Sequence, residues 1–253
     1  MDAMQKLDYK RFYAEAIAQG KVRYPGFSFH DDAKAFLRIL HDWDQWGMCQ
    51  VQMNILDDEN QATLEGIREA GRRGVGVVVM EPLRGGLLAN PPVDVKAVYD
   101  AYAVQRSPVE WGFRYLYAMP EVITILSGMS TWAQVTDNLR IFDMTKRPTL
   151  TDEELALYQK VKATYLARTK TRCTGCKYCQ PCPMGVQIPR IFQGYDAAML
   201  RADSSFKAGY AQIQADHADA SQCIHCRKCE RACPQHLPIT RFLQEIHTAS
   251  TAE

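Results

Sequence analysis

The sequence predicts an α/β domain of parallel strand–helix units followed by a helical, cysteine-rich domain. Up to about residue 146, short apolar segments alternate with amphipathic segments, which is typical of parallel βα units. Eight of the nine cysteines lie in two compact groups after residue 170. These two groups form an approximate internal repeat, because Cys223 follows Cys173 at an offset of 50 residues.

Four apolar segments of the first domain are predicted to be buried strands. They are Val22–Phe29, Met48–Met53, Val75–Met80 and Val122–Leu126. Four parallel strands with helices on one side form an open half-barrel, whereas a complete (β/α)8 barrel needs eight strands and typically ~250 residues. The sequence therefore predicts about half of a TIM-type barrel.

Helices are predicted between these strands and after the last of them. The predicted helical segments are Asp31–Asp42, Gln61–Arg73, Pro108–Ala118, Thr131–Phe142, Thr151–Thr169 and Ile188–Ala218. Three of them have the residue spacing of a capping box, in which an N-cap hydroxyl and a later Glu or Gln satisfy helix N–H groups. These boxes are Ser107–Glu110, Thr131–Gln134 and Thr151–Glu154.

The cysteine groups have the spacing of iron–sulfur ligands. Each begins C-x2-C-x2-C and ends with a fourth cysteine followed by proline. In two-cluster ferredoxins three close cysteines hold one [4Fe–4S] cluster and the fourth reaches the other cluster. We therefore predict two [4Fe–4S] clusters bound by eight thiolates. The predicted ligands are Cys173, Cys176, Cys179, Cys182, Cys223, Cys226, Cys229 and Cys233.

Other uses of these cysteines stay open. Disulfides are disfavoured because the thiols are crowded into C-x2-C units and no signal peptide is recognised. Structural zinc usually takes two separated C-x2-C pairs, which leaves the third cysteine and the Cys-Pro ending unexplained. In the first group only Gln180 and Pro181 separate the last two cysteines, where the second group has three residues. The first site is thus open to distortion, lability or different ligation, and one cluster remains an alternative to two. Cys49, the ninth cysteine, is predicted to be a small buried hydrophobe.

Charge and hydropathy exclude some classes of partner. Thirty basic and 29 acidic side chains leave a formal charge of +1, which gives no electrostatic reason to expect nucleic acid or a membrane surface. No stretch approaches ~20 uninterrupted apolar residues, the length of a membrane span. The first residues are neither a secretory signal nor an Arg-rich transit peptide. We expect a cytoplasmic protein that binds neither nucleic acid nor membrane.

Motifs at the predicted strand ends carry a resemblance to a known family. They are GFSFH from Gly26, QVQMN from Gln50, MEPLRGG from Met80 and LSGMS from Leu126. This succession resembles the second half of an aldo/keto reductase barrel, in the branch with a C-terminal ferredoxin-like [4Fe–4S] domain. The resemblance covers about Gly20 to about Phe242. It implies an α/β plus α fold: the second half of a (β/α)8 TIM-type barrel followed by a helical two-cluster ferredoxin-like domain.

The expected domain boundaries follow from these patterns. Residues 1–146 would form the aldo/keto reductase-like partial barrel of four βα units. Residues 147–170 would form a helical connector. Residues 171–247 would form the 4Fe-4S ferredoxin-type domain.

The resemblance also implies a nicotinamide cofactor, NADP or NAD, at the carboxyl ends of the strands, where barrels of this type bind ligands. Ser28 and Gln50 would hold the carboxamide of the nicotinamide ring. Leu83, Arg84 and Gly85 would lie along the pyrophosphate. Six further residues are implied at the phosphate and adenosine end: Gly128, Met129, Ser130, Gln134, Asp137 and Asn138.

Several positions depart from the family pattern. Phe29 stands where many members have asparagine, Met80 where many have tyrosine, and Gln134 where many have an arginine for the 2′-phosphate. The family's catalytic Asp, Tyr, Lys and His lie on earlier strands and have no counterpart here. Hydride transfer to a carbonyl needs a proton donor near the oxygen. We therefore do not expect this chain alone to reduce a carbonyl.

Three functions remain under consideration, and we favour the first. The chain would be part of an iron–sulfur aldo/keto reductase-like oxidoreductase, an enzyme whose clusters exchange single electrons with a nicotinamide-type site. The alternatives are a non-catalytic ferredoxin-like electron-transfer module and an inactive truncated fragment. Unpaired sheet edges favour association, either with a polypeptide that supplies the N-terminal half-barrel or with a second copy. A redox partner protein is also considered, near Arg227, Lys228 and Arg231.

Overall fold

The structure is a computed structural model that describes residues 6–143, 146–173 and 175–251. It divides into two compact units. The first unit comprises the chain up to Asn90 together with Val98–Gln159, and the second comprises Pro91–Ala97 together with the chain from Lys160. Within the described residues, no helix has both the length and the hydrophobicity needed to cross a membrane.

A four-stranded parallel sheet forms the centre of the first unit. Its strands are β1 (Gly26–Ser28), β2 (Met48–Gln52), β3 (Gly76–Met80) and β4 (Val122–Ile125), and they lie side by side in chain order. The prediction of four parallel strands is confirmed, although β1 has three residues rather than eight. Pro25 lies just before β1 and has no N–H for a ladder hydrogen bond. The Pro25 carbonyl accepts a hydrogen bond from the Gly47 N–H at 2.8 Å.

The register places the ends of the strands together at one edge of the sheet. Ser28 is paired with Gln50, and Gln52 is paired with Met80. The interior of the sheet is apolar, and Cys49 is fully buried there. Burial raises the pKa of the Cys49 thiol to about 12, so it stays a neutral thiol. The expectation that Cys49 is a small buried hydrophobe is confirmed.

Helices flank the strands of this unit. Those that lie wholly within it are α1 (Tyr9–Ala18), α2 (Ala33–Asp42), α3 (Thr63–Arg72), α5 (Pro108–Tyr117) and α6 (Trp132–Phe142). Two further helices, α4 (Val93–Asp100) and α7 (Asp152–Arg168), have residues in both units. The sequence did not predict α1 or α4. Asp8 precedes α1 in a left-handed conformation and makes no side-chain cap, so α1 has no start signal. Its Tyr9 and Tyr13 are instead held by ring contacts with Trp43 and Trp46.

At all three predicted capping boxes the hydroxyl accepts the expected N–H, and at two of them the reciprocal bond is also present. Ser107 Oγ accepts a hydrogen bond from the Glu110 N–H at 3.1 Å and starts α5. Thr131 and Gln134 form a complete box at the start of α6. Thr151 and Glu154 bond each other's backbone N–H groups reciprocally at 3.2 Å, immediately before and inside α7.

The second unit is helical in its described residues. Beyond α7 it contains α8 (Ile188–Arg201), α9 (Ser205–Ala215), a 3₁₀ turn (Ala220–Gln222), α10 (Lys228–Ala232) and α11 (Ile239–Thr251). The prediction that Ile188–Ala218 is helical is confirmed for most of the segment, which is divided into two helices. Ala202 adopts a left-handed conformation with φ of 55° and ends α8. Helix α9 begins at Ser205, where the Asp203 carboxylate accepts the Ser205 N–H at 3.0 Å.

Candidate metal centres and a candidate cofactor cleft

The eight clustered cysteines line two neighbouring cavities of the second unit. One cavity is lined by Cys173, Cys176, Cys179 and Cys233. The other, of about 160 Å³, is lined by Cys182, Cys223, Cys226 and Cys229. Cys179 lines both cavities. With the shared Cys179 counted in the first cavity, each cavity collects three cysteines of one group and the last cysteine of the other group. This is the exchange of fourth ligands that the spacing predicts for a two-cluster site.

The two cysteine loops have matching backbone conformations at two equivalent positions. Gly175 and His225, at equivalent positions, both have positive φ, of 71° and 55°. Lys177 and Arg227 are again equivalent, with φ of 64° and 57°. A non-glycine residue with positive φ is uncommon. Lys177 and Arg227 share it at matched positions, so the repeat in the sequence extends to the backbone there.

The repeat continues past the Cys-Pro pairs. The Gly185 N–H donates to the Cys182 carbonyl at 3.0 Å, and the His236 N–H donates to the Cys233 carbonyl at 3.1 Å. Both turn residues have positive φ, of 72° and 51°. Helices α8 and α11 begin at matched places just after these turns, so each loop is anchored by its own helix.

The unequal spacing of the two groups is confined to the segment between the third and fourth cysteines. In the second group α10 spans this segment. In the first group the Gln180–Pro181 peptide bond is cis. The Gln180 side chain donates to the Val186 carbonyl at 2.9 Å and accepts the Cys182 N–H at 3.1 Å. The shorter spacer is therefore closed by a glutamine rather than by a helical turn.

The donor set of these cavities fits iron–sulfur clusters. Among the described residues, no three His, Cys, Asp or Glu side chains converge closely enough for a single metal ion. Burial raises the pKa of Cys179 and of Cys229 to about 11. Such thiols are protonated at neutral pH unless a bound metal supplies the charge that makes them thiolates.

A buried carboxylate orders the segment that enters the first cysteine group. Asp196, on α8, accepts the backbone N–H groups of Lys170, Thr171 and Arg172 at 2.9, 3.0 and 2.7 Å. It also accepts the Thr171 hydroxyl at 2.7 Å. The Thr171 oxygen in turn accepts the Cys173 N–H at 3.2 Å. Asp196 thus fixes the position of Cys173 through its neighbours, and no motif in the sequence marked it.

A second buried carboxylate lies ahead of the second group. Asp219 is 2% exposed and accepts both the N–H and the hydroxyl of Ser221 at 3.1 Å. His247 Nδ1 lies 3.6 Å from the Asp219 carboxylate and 2.8 Å from the Tyr210 hydroxyl. The Tyr210 oxygen also accepts the Ala220 N–H at 3.2 Å. The chain is therefore fixed before Cys223, as it is before Cys173.

A separate cleft of about 650 Å³ opens in the first unit, beside the loops that follow β3 and β4. Seven of the residues implied by the family resemblance line it: Leu83, Gly85, Gly128, Met129, Gln134, Asp137 and Asn138. Ser28 and Gln50 lie at the nearby strand ends, and Gln50 Nε2 is 3.6 Å from the sulfur of Met80, which lines the cleft. The structure therefore gathers most of these residues at one place.

The charge of this cleft is unfavourable to a pyrophosphate. Glu81 and Asp137 contribute carboxylates to the lining, and the described lining residues include no Lys, Arg or His. Arg84 belongs to the β3 loop, but its Nε lies 3.5 Å from the carboxylate of the buried Asp57. The Arg84 side chain is therefore directed to an internal ion pair.

Two of the backbone donors near the implied phosphate end, the N–H groups of Met129 and Ser130, are also engaged. Gln134 Oε1 accepts the N–H groups of Ser130 and Thr131 at 2.8 and 3.1 Å. The Met129 N–H donates to Ser127 Oγ at 3.3 Å, and Asn138 donates to the same oxygen at 3.0 Å. In this arrangement the cleft does not fit a pyrophosphate, because it offers no cation and these donors already have acceptors.

Comparisons with known proteins agree with the two-part organisation. The family model of the aldo/keto reductase family matches residues 7–163, and that of the 4Fe-4S dicluster domain matches residues 172–237. A search among curated proteins gave no match.

Similar solved structures include the holo and apo forms of the aldo-keto reductase AKR11C1 from Bacillus halodurans. Both are 26% identical and cover 58% of this chain and 53% and 54% of their own, with a TM-score of 0.47. The thermostable aldo-keto reductase Tm1743, solved with the inhibitor epalrestat, is 24% identical and covers 59% of this chain and 52% of its own, with a TM-score of 0.46. The chain therefore spans about half the length of these structures.

Proposed function

This chain belongs to the aldo/keto reductase family and also carries a 4Fe-4S dicluster domain, and from that premise we propose that it is an oxidoreductase that exchanges single electrons through two [4Fe–4S] clusters. The observation that carries the proposal is the exchange of fourth cysteines between the two cavities. With Cys179, which lines both cavities, counted in the first, that exchange gives each cavity four thiols, the ligand number of a [4Fe–4S] cluster. When bound, such clusters supply one-electron transfer.

The chain's own residues have defined roles in this proposal. Cys173, Cys176, Cys179 and Cys233 would hold one cluster, and Cys182, Cys223, Cys226 and Cys229 would hold the other. Asp196 and Asp219 would hold the entering segments in place through backbone hydrogen bonds. Fixed ligands reduce the rearrangement that metal binding would otherwise require. Because the thiols must stay reduced, we also propose a cytoplasmic setting.

The stoichiometry of metal and sulfide tests the clusters. After anaerobic reconstitution we expect about eight iron and about eight sulfide ions per chain. Reduction should produce paramagnetic centres that interact, measured by electron paramagnetic resonance. About four iron ions per chain, with no zinc, would indicate one cluster. Zinc without sulfide would contradict the proposal.

We further propose that the cleft of the first unit is the nicotinamide-type site coupled to these clusters. Support comes from the family and from the seven implied residues that line the cleft. For a dinucleotide to bind, Gln134 would have to release the Ser130 and Thr131 N–H groups, and Arg84 would have to leave Asp57. We expect weak binding for that reason. Titration with NADPH and with NADH, followed by nicotinamide fluorescence, measures it and compares the two cofactors.

Gly128 offers a specific test of the cleft. A Cβ added at Gly128 meets no atom within 4 Å, so Gly128→Leu should fold while its side chain fills space that a nucleotide needs. We expect at least tenfold weaker NADPH binding, a loss of about 1.4 kcal/mol. Gly209→Leu is the matched control, since a Cβ there also meets nothing within 4 Å. Equal affinities in both variants would show that the nucleotide binds elsewhere.

A second candidate function follows from the missing cation in the cleft lining. The chain would be a non-catalytic electron-transfer module whose barrel segment binds no nucleotide. A chain that holds both clusters yet binds neither NADPH nor NADH would support this alternative. A chain that holds no clusters and binds no nucleotide would be an inactive fragment.

We also propose that the sheet of the first unit is completed by further strands. Within the described residues, β1 and β4 each have a neighbour on one side only, and such edges present unpaired backbone groups. The added strands would come from a half-barrel polypeptide or from a second copy of the chain. Sedimentation of the chain alone should show concentration-dependent association. A monomer that persists at all concentrations would contradict self-association.

A further inference from the structure

We propose that the surface around the cavity of Cys182, Cys223, Cys226 and Cys229 binds a small acidic electron-carrier protein. This inference rests on the proposed function, because the carrier would exchange electrons with the cluster held in that cavity. Two independent properties of the surface support it. One is an exposed apolar centre and the other is a rim of cations.

The apolar centre consists of three side chains that line the mouth of this cavity: Tyr178, Met184 and Ile224. Tyr178 is 69% exposed and Ile224 is 60% exposed. Single apolar residues scattered over a surface need no explanation, but a contiguous group with a polar rim is typical of an interaction site. Both exposed residues are chain neighbours of predicted ligands, Cys179 and Cys223. A protein bound here would therefore lie close to the cluster.

The rim carries a local excess of positive charge, in which Arg227 and Lys228 line this cavity and Lys177 lines the neighbouring one. Arg231 lies three residues after Lys228 in α10, a spacing that puts both side chains on one side of the helix. The two cysteine segments, residues 173–187 and 223–238, contain Lys177, Arg227, Lys228 and Arg231, against one carboxylate, Glu230. All four cations are exposed. Glu230 is largely committed to Thr240, whose N–H and hydroxyl it accepts at 2.9 and 2.7 Å.

The contacts of these cations leave their charge available. The Arg227 guanidinium lies 3.9 Å from Glu230, which is a loose pair on an exposed side chain. In the part of the chain that the structure describes, Lys177, Lys228 and Arg231 make no ion pair with a carboxylate. The formal charge of the whole chain is only +1, so this excess is a feature of the cysteine loops.

Charge complementarity selects the kind of partner. A second copy of the chain, docked through the same surface by a two-fold axis, would place these cations opposite the same cations of the other copy, where like charges repel. An acidic carrier instead gains from complementary potentials, which raise the association rate and favour the correct orientation. The exchange itself is one electron from the reduced carrier to the cluster, with no proton moved and no covalent bond formed or broken.

Charge reversal at the rim tests the inference in the full, cluster-loaded chain. The probe is a purified acidic plant-type [2Fe–2S] ferredoxin, and its Kd is measured anaerobically at low and high salt. Lys228→Glu and, separately, Arg231→Glu should each raise the Kd about tenfold at low salt. Arg201→Glu is the matched control because it makes the same charge change at an exposed site. Arg201 ends α8, about 20 Å of helix away from Ile188, which lines the cavity.

The apolar centre is tested by Ile224→Ser, which should speed dissociation of the ferredoxin without changing the salt dependence. Iron and sulfide contents are measured in every variant to show that both clusters are retained. A Kd that is insensitive to salt, equal in Lys228→Glu and Arg201→Glu, or too weak to measure with clusters intact would overturn the docking surface alone. Absence of the clusters would instead overturn the proposed function on which it rests.

Discussion

Replacing Cys173 and Cys233 together by serine is expected to leave about four iron ions per chain, whereas replacing Cys182 and Cys233 together is expected to leave almost none. The reason is that Cys173 and Cys233 line the same cavity, so the double variant damages one site. Cys182 and Cys233 line different cavities, so that pair damages both. Iron and sulfide are counted after anaerobic reconstitution.

Pairs drawn from one cysteine group give the converse result. Cys173→Ser combined with Cys182→Ser should also abolish both clusters, although both residues belong to the first group. If each group instead held its own cluster, that pair would leave about four iron ions, and the pair Cys173 and Cys233 would leave almost none. Cys49→Ala is the control, since Cys49 is fully buried in the sheet of the other unit. It should retain the full iron content.

Features set by local spacing could be predicted from the sequence. The four strands were recognised from short apolar runs, and three helix starts were recognised from a hydroxyl residue followed by Glu or Gln. The pairing of Cys233 with the first cysteine group followed from the Cys-Pro ending of each group. In each case the residues that determine the feature lie within a few positions of one another or repeat at a fixed offset.

Features set by contacts between distant residues could not be predicted in this way. Asp196 lies mid-helix with no motif around it, and its role depends on hydrogen bonds to a segment 24 to 26 residues earlier. Arg84 was expected at a pyrophosphate, but its position depends on the buried Asp57. Gln134 was expected at the adenosine end, and the same side chain is also the cap of α6. In the structure the cap takes up its Oε1, and sequence spacing alone does not decide between these roles.

Asp196 is the basis of the second large expected effect. Asp196→Asn keeps the shape of the side chain but leaves one carbonyl oxygen in place of two carboxylate oxygens, and it adds N–H donors. The N–H groups of Lys170, Thr171 and Arg172 would then compete for one acceptor, and a donor left without a partner in a buried site costs about 1–3 kcal/mol. We expect a lower free energy of unfolding by about that amount, measured with denaturant on the cluster-loaded chain.

The effect on metal should be confined to one of the two sites. Because Asp196 orders the segment leading to Cys173, Asp196→Asn should lose iron preferentially from the cavity of Cys173, and the iron content should fall from about eight toward about four per chain. Asp203→Asn is the matched control, since Asp203 is an exposed carboxylate that accepts the Ser205 N–H at the start of α9. It should retain all of the iron. If Asp196→Asn lost no more iron than Asp203→Asn, the Asp196 carboxylate would be a local structural contact with no bearing on the cysteine site. Equal loss of iron from both cavities would show that it supports the whole unit rather than the segment before Cys173.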